Sequence, residues 1–252
     1  MALLAATALA ISFGGIRALD GVDFTVEDGE VFTIIGPNGA GKTTIFNLIS
    51  RIYDPEGGRI EFAGAEITRL APHRIAGLGV ARTFQNIELF ETASVLDNLM
   101  LARHPHRRTG TLAEMLFTPK VQRQEIAMRE AVERVIDFLK LAHHRDTRIA
   151  ELPYGVRKVV ELGRALAAEP RLLLLDEPSS GLNVEETQDM AFWIKDIQSG
   201  LGITVLIIEH DMRLVAAVSD RVLALNNGRV LAEGNPAEIQ QHPEVIRAYL
   251  GG

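Results

Sequence analysis

The sequence predicts an α/β fold of the P-loop kind, built around a phosphate-binding loop, with an antiparallel β subdomain and an inserted α-helical subdomain. Three observations predict this. First, Gly36, Pro37, Asn38, Gly39, Ala40, Gly41, Lys42, Thr43 and Thr44 fit the pattern G-x-x-x-x-G-K-[ST]. An apolar run rich in β-branched residues (31–35) leads in, and Ile45, Phe46, Leu48 and Ile49 lead out at helical spacing. Second, the last third of the chain alternates strand-like and helix-like segments, as βαβ units do. Third, residues 95–168 carry almost no strand pattern, while Leu96, Leu99, Met100 and then Val132, Val135, Ile136, Leu139 repeat at helical spacing.

The elements follow in order. The first eleven residues, M-A-L-L-A-A-T-A-L-A-I, read either as a signal-peptide core or as a first β-strand. They lack a basic n-region, which favours the strand. Further strand-like runs are 22–26, 31–35, 58–62, 80–84, 172–175, 203–208, 221–225 and 229–232. Glu27-Asp28-Gly29, Asp54-Pro55-Glu56-Gly57-Gly58 and Asn226-Asn227-Gly228 punctuate them, the last being a hairpin signal. A helix is expected over about 156–168. The helical insert spans about 92–168 and includes a basic, polar stretch at 104–111. The chain reads as one nucleotide-binding domain, 1–252, with a C-terminal extension from about 234 to 252.

Composition narrows the class. Apolar residues make up 47% and charged residues 23% of 252, ordinary for a soluble globular protein. Net charge is 26 − 33 = −7, which gives no reason to expect a nucleic-acid partner. There is no cysteine, so disulfides and thiolate metal sites are excluded. No run approaches the length of an apolar membrane span.

The chemistry concentrates in a few places. Glycines let the loop curl so that its N–H groups face a triphosphate, and the helix that follows adds its positive end. Lys42 supplies a cation for the β- and γ-phosphates, and Thr43 a hydroxyl for Mg²⁺. Leu172-Leu173-Leu174-Leu175-Asp176-Glu177-Pro178 reads as a strand buried on both faces that ends in two acids. Asp176 is placed for Mg²⁺, and Glu177 to orient or deprotonate an attacking water. His210, in Ile207-Ile208-Glu209-His210-Asp211, reads either as a γ-phosphate contact or as a satisfied polar residue at a strand end. Gln85 follows a strand run where the insert begins, and its amide oxygen suits Mg²⁺ or water. Leu152-Pro153-Tyr154-Gly155 opens a helix and makes an anion site or a plain helix entry. Phe13 either stacks on adenine or fills the core.

Taken in order, these segments resemble the nucleotide-binding subunit of an ABC transporter. The phosphate loop is similar to its Walker A motif, A-R-T-F-Q-N to its Q-loop and L-P-Y-G to its signature. L-L-L-L-D-E-P is similar to its Walker B, S-S-G-L-N to its D-loop, His210 to its switch histidine and Phe13 to its A-loop aromatic. F-G-G near Phe13, R-T-F-Q, I-E-H-D-M and R-A-Y-L-G further resemble the ATP-binding subunits of branched-chain amino acid importers. Urea and short-amide importers and the ATPase of lipopolysaccharide export are close to that branch. The resemblance implies an ATPase using ATP and Mg²⁺, with Thr43, Gln85 and Asp176 around the metal and Glu177, His210 and Gln85 in hydrolysis. It also implies a sandwich of two such subunits, each ATP lying between one phosphate loop and the other subunit's signature (here Pro153, Tyr154, Gly155). Two membrane permease subunits would dock near Asn86, Ile87, Glu88, Leu89 and Phe90, with Leu89 and Phe90 as anchors or as core caps. An extracytoplasmic solute-binding protein would act indirectly, and the chain would sit on the cytoplasmic face of the inner membrane. A soluble, non-transport ABC ATPase and a P-loop kinase or GTPase are the rival readings. The long coiled coils or second cassette of the former do not fit this length, and Gln85, L-P-Y-G and the insert oppose the latter.

The signature departs from L-S-G-G-Q at Pro153, Tyr154 and Val156. Pro153 removes a hydroxyl and a backbone N–H that would have held a partner's γ-phosphate. The resulting expectation is a hetero-pair whose two ATP sites differ in rate.

Overall fold

The computed structural model describes residues 2–107, 109–110 and 114–250, with Leu250 described for its backbone only. Arg108 and Thr111, of the basic stretch at 104–111, lie outside the described residues, as do Gly251 and Gly252 of the C-terminal extension. The chain divides into two compact units, residues 1–85 with 171–252, and residues 86–170.

The first unit holds two sheets. One is antiparallel, in the order β2-β1-β4-β5, from β1 (Ala2–Phe13), β2 (Ile16–Glu27), β4 (Gly57–Phe62) and β5 (Ala65–Glu66). The first residues of the chain are thus a strand paired on both sides. The other sheet has the order β10-β9-β3-β8-β7-β6, from β3 (Val31–Ile35), β6 (Val80–Arg82), β7 (Leu172–Asp176), β8 (Thr204–Ile208), β9 (Arg221–Asn226) and β10 (Arg229–Gly234). Its neighbours β9, β3, β8, β7 and β6 run parallel, and β10 returns antiparallel through the Asn226-Asn227-Gly228 turn.

β3, β7 and β8 are buried at every residue, which is why they read as continuous apolar runs rather than alternations. Phe32, Ile34, Phe46, Leu172, Leu174, Leu206 and Ile208 share one core with the inner face of the antiparallel sheet, including Leu4, Leu9, Leu19 and Ile60. Around the sheets run α1 (Lys42–Ile49) and α2 (Pro72–Gly77). The expected strand at 80–84 ends at Arg82: Thr83 still donates to the Leu174 carbonyl at 2.9 Å, but Phe84 turns outward.

The second unit contains α3 (Val95–Leu101), α4 (Pro119–Phe138) and α5 (Tyr154–Ala167). Ser94 and Asp97 close a capping box on α3. Gly163 lets α5 come close to its neighbours, for a Cβ there would meet Leu139 Cδ1 at 2.9 Å. The helix expected from 156 begins two residues earlier, with Pro153 as its N-cap.

The remaining helices belong to the first unit: α6 (Val184–Leu201), α7 (Met212–Val218), α8 (Pro236–Gln241) and α9 (Pro243–Leu250). Asn183 with Glu186, and Asn235 with Glu238, cap α6 and α8 reciprocally. Val245 of α9 is buried in a second cluster with Ile35, Val215, Val222, Ala224 and Ile239.

Candidate nucleotide site

The parallel sheet gathers the candidate residues. β3 delivers the phosphate loop at its carboxyl end, β7 delivers Asp176 and Glu177, and β8 delivers Glu209 and His210. Open parallel sheets bind ligands outside the carboxyl ends of their strands.

Two glycines fix the loop. Gly36 (φ 152°) passes so close to β9 that a Cβ would fall 2.3 Å from the Leu225 carbonyl oxygen. Gly41 (φ 104°) is the N-cap of α1, and a Cβ there would lie 2.7 Å from the Ala18 carbonyl oxygen. The Lys42 ammonium is buried and folded into the loop, donating to the Gly36 carbonyl at 2.6 Å and to the Pro37 carbonyl at 3.1 Å. Burial pushes its pKa below the usual lysine range, and the Glu177 and Asp176 carboxylates oppose that shift. Thr43, in the first turn of α1, is exposed.

Asp176 is buried and pairs through Oδ2 with Arg82 Nη2 at 2.9 Å. Arg82 also donates to Asn47 Oδ1 at 2.8 Å, and its guanidinium lies over the Phe46 and Phe84 rings at 5.4 and 5.3 Å. Sequence reasoning passed over this arginine, although A-R-T-F-Q places it three residues before Gln85.

Glu177 sits just past β7 with left-handed backbone (φ 49°), its N–H donating to the Ile208 carbonyl at 2.9 Å. A non-glycine residue held in that region at a candidate catalytic position is a local strain the surrounding bonds must maintain. Gln85 Nε2 donates to Glu177 Oε2 at 3.1 Å. His210 Nδ1 lies 3.7 Å from the same oxygen and 3.6 Å from Glu209 Oε2. Lys42, Gln85, Asp176, Glu177 and His210 therefore share one neighbourhood, as the sequence predicts, and Arg82 and Glu209 join it unannounced. The signal for Glu209 lay beside His210: a carboxylate closing a wholly apolar strand has to find donors.

Phe13, at the end of β1, is 42% exposed and meets Tyr53 edge-on with centroids 5.0 Å apart, so it is not a core residue.

In the second unit, no side chain caps the start of α5, where Pro153 and Tyr154 are exposed and Gly155 is buried. Of the two expected anchors, Leu89 is buried and Phe90 is 59% exposed, so of the two only Phe90 has its side chain at the surface. The buried Asn98 holds Phe90 in place, accepting from its N–H at 2.8 Å and donating to its carbonyl at 3.1 Å. Glu91 and Ala93 carbonyls accept from Ala150 and Ile149, tying this segment to the residues just before Leu152.

The oxygen donors at hand suit a hard divalent cation. One hydroxyl (Thr43), one amide (Gln85) and one carboxylate (Asp176) are too few for an all-protein cage. They match Mg²⁺, which takes few protein ligands alongside substrate phosphates. Among the described residues no three of His, Cys, Asp or Glu cluster as a metal site.

Comparison with known proteins gives a matching picture. Residues 19–180 match the family described as ABC transporter, and residues 229–252 the family described as branched-chain amino acid ATP-binding cassette transporter. The chain is 42% identical over 249 residues to the high-affinity branched-chain amino acid transport ATP-binding protein BraF of Pseudomonas aeruginosa, covering 99% of this chain and 98% of the relative. It is 39% identical to the corresponding LivG protein of Escherichia coli, with the same coverage. Among solved structures, a nucleotide-free ATP-binding cassette from an ABC transporter superposes with a TM-score of 0.87 at 32% identity, covering 100% of both chains.

Proposed function

The chain belongs to the ABC transporter family, and we propose that it is the ATP-hydrolysing subunit of an importer for branched-chain amino acids. Membership makes it an ATP-binding ATPase cassette. The solute is our reading from the BraF and LivG relatives and the C-terminal family match. What carries the hydrolytic reading is the convergence of Lys42, Gln85, Asp176, Glu177 and His210 at the carboxyl ends of β3, β7 and β8.

In this reading Gly36–Thr44 cradle the phosphates and Phe13 stacks on adenine. Lys42 leaves the Gly36 and Pro37 carbonyls and takes up the β- and γ-phosphates. Thr43, Gln85 and Asp176 would hold Mg²⁺, which when bound would neutralise phosphate charge. Arg82 pairs with one Asp176 oxygen, so the other would be available to such a metal. Glu177 accepts the proton of the attacking water, whose oxygen bonds the γ-phosphorus as the β–γ bridging bond breaks. Gln85 and His210 hold the Glu177 carboxylate and the γ-phosphate in register. His210 is read here as a phosphate contact.

A second cassette would supply the far wall of each site, with Pro153, Tyr154 and Gly155 serving the partner's ATP. Permease subunits would dock at Asn86–Phe90. Support comes from a groove of about 570 Å³ within the second unit, lined by Phe90, Met100, Leu101, Arg107 and Met128 among others. Methionine-rich walls adapt to an inserted helix. No described helix is long and apolar enough to cross a membrane; attachment to the cytoplasmic face would then run through the permeases, and the solute-binding protein would act from the far side.

The test is Glu177→Gln in the assembled complex. Retained ATP binding, lost hydrolysis and a trapped closed dimer are expected, and normal turnover refutes the role. Loss of labelled leucine uptake on deletion, with urea uptake intact, supports the solute; the opposite result favours a urea importer.

A further inference from the structure

We infer that Glu209 is a positioning residue for hydrolysis, clamping the loop after β7 to the loop after β8 and so setting the gap between Glu177 and His210. The inference rests on the hydrolytic reading above and adds a residue to it.

Glu209 is fully buried. Each of its two oxygens serves a different loop. Oε1 accepts from the Ser179 N–H at 3.0 Å and the Ser179 hydroxyl at 2.5 Å. Oε2 accepts from the His210 N–H at 2.6 Å and the Asp211 N–H at 3.0 Å. Ser179 lies two residues beyond Glu177, and its loop starts from the Glu177 N–H bond to Ile208. The Glu209 N–H in turn donates to the Ile34 carbonyl, at 3.3 Å, on the strand that leads into the phosphate loop and two residues before Gly36. One carboxylate thus fixes the loops that carry Glu177 and His210, whose side chains stand 3.7 Å apart.

Fold stability alone gives little reason for this arrangement. A buried carboxylate is costly unless its lone pairs are filled, and an apolar residue of similar volume is usually no less stable. Here the lone pairs are filled by the amides and hydroxyl of two loops, through charge-assisted bonds that fix position. Glutamine cannot do the same, because its one carbonyl oxygen can serve one loop while its NH₂ faces the donors of the other.

The experiment is steady-state ATPase and Mg·ATP binding by the assembled transporter with Glu209→Gln, Ser179→Ala, His210→Ala and Glu209→Gln/His210→Ala. A misplaced reacting group can cost about 10²-fold, so a fall in kcat of roughly tenfold or more is expected for Glu209→Gln, with ATP affinity within about twofold of the parent. Ser179→Ala should lower kcat less, also at constant KM. The double variant should lose less than the product of the two single losses, since part of the effect of Glu209 runs through His210. Unchanged kcat in Glu209→Gln, affinity lost in step with kcat, or a full additional loss on top of His210→Ala each overturns the inference. If Glu209→Gln does not fold, Ser179→Ala decides, and unchanged kcat there overturns it. Full turnover in His210→Ala alone overturns the underlying hydrolytic reading instead, a separate result.

Discussion

Replacing Arg82 by methionine tests whether the site is held together from behind. Arg82 and Asp176 pair at 2.9 Å with side chains 9% and 4% exposed, so solvent screens the pair little. Methionine keeps the apolar contacts with Phe46 and Phe84 but leaves Asp176 without its guanidinium. Removing one member of a buried pair costs about 3–5 kcal/mol, because the other is left as an uncompensated charge. Lys42 also lies near Asp176, which puts the loss toward the lower end. At about 2–4 °C per kcal/mol for a chain of this size, the melting temperature should fall by roughly 6–20 °C. Differential scanning calorimetry of the nucleotide-free protein measures this. Repeating it with Mg·ATP should shrink the difference, since a cation beside Asp176 replaces the lost charge. Arg82→Met/Asp176→Asn should recover most of the loss. A melting temperature within about 1 °C of the parent, or a double variant no more stable than the single, refutes the reasoning.

Four further outcomes are expected. Glu177→Gln, described above, should bind ATP and stay closed. Pro153→Ser restores a hydroxyl and an N–H, and a hydrogen bond to a charged group is worth about 1.5–3 kcal/mol. The partner-side site should therefore speed up roughly tenfold or more, and unchanged turnover of the complex ends the idea of unequal sites. Phe90→Asp should abolish co-purification with the permeases while changing stability by only about 0.5 kcal/mol, because the ring is exposed; retained co-purification moves the docking surface elsewhere. Burial lowers the Lys42 pKa, so its protonated, phosphate-binding form is lost at a lower pH than in an exposed lysine. The alkaline half-point of kcat/KM for ATP should accordingly lie below the ordinary lysine value of 10.5, and a half-point at or above it counts against a role for the buried Lys42.

What could be read from the sequence followed from short-range physics. Leu172 to Leu175 announce a strand buried on both faces because nothing polar interrupts them, and the loop glycines announce conformations that other residues avoid. Asp176, Glu177 and His210 are legible because each ends such a strand. β5, with two residues, and α2, with six, carry too little pattern to stand out. The caps at Asn183 and Asn235 do carry a local signal, N-x-x-E. Arg82 and Glu209 were hidden for another reason. Charged residues are usually exposed, and only the packing of strands distant in sequence buries Glu209 and covers most of the Arg82 side chain. Leu89 and Phe90 look alike in sequence, yet one is buried and the other presented, a choice fixed by how Asn98 holds the backbone of Phe90.

The charges of this site share one property that explains how it tolerates so many of them before nucleotide arrives. Lys42 is bonded to two loop carbonyls, Asp176 to Arg82, Glu177 to Gln85, and Glu209 to the amides of two loops. Each desolvated group therefore already has a partner, and the steep cost of an unpaired buried charge is avoided. ATP entry then becomes an exchange. In the proposed reading Lys42 would trade carbonyls for phosphates, while Gln85 keeps Glu177 through Nε2 and its amide oxygen would serve the metal. Arg82 and Glu209 make bonds that the exchange leaves alone. They can thus hold Asp176, Glu177 and His210 in place while the other partners change, and preorganisation of that kind is what electrostatic catalysis requires.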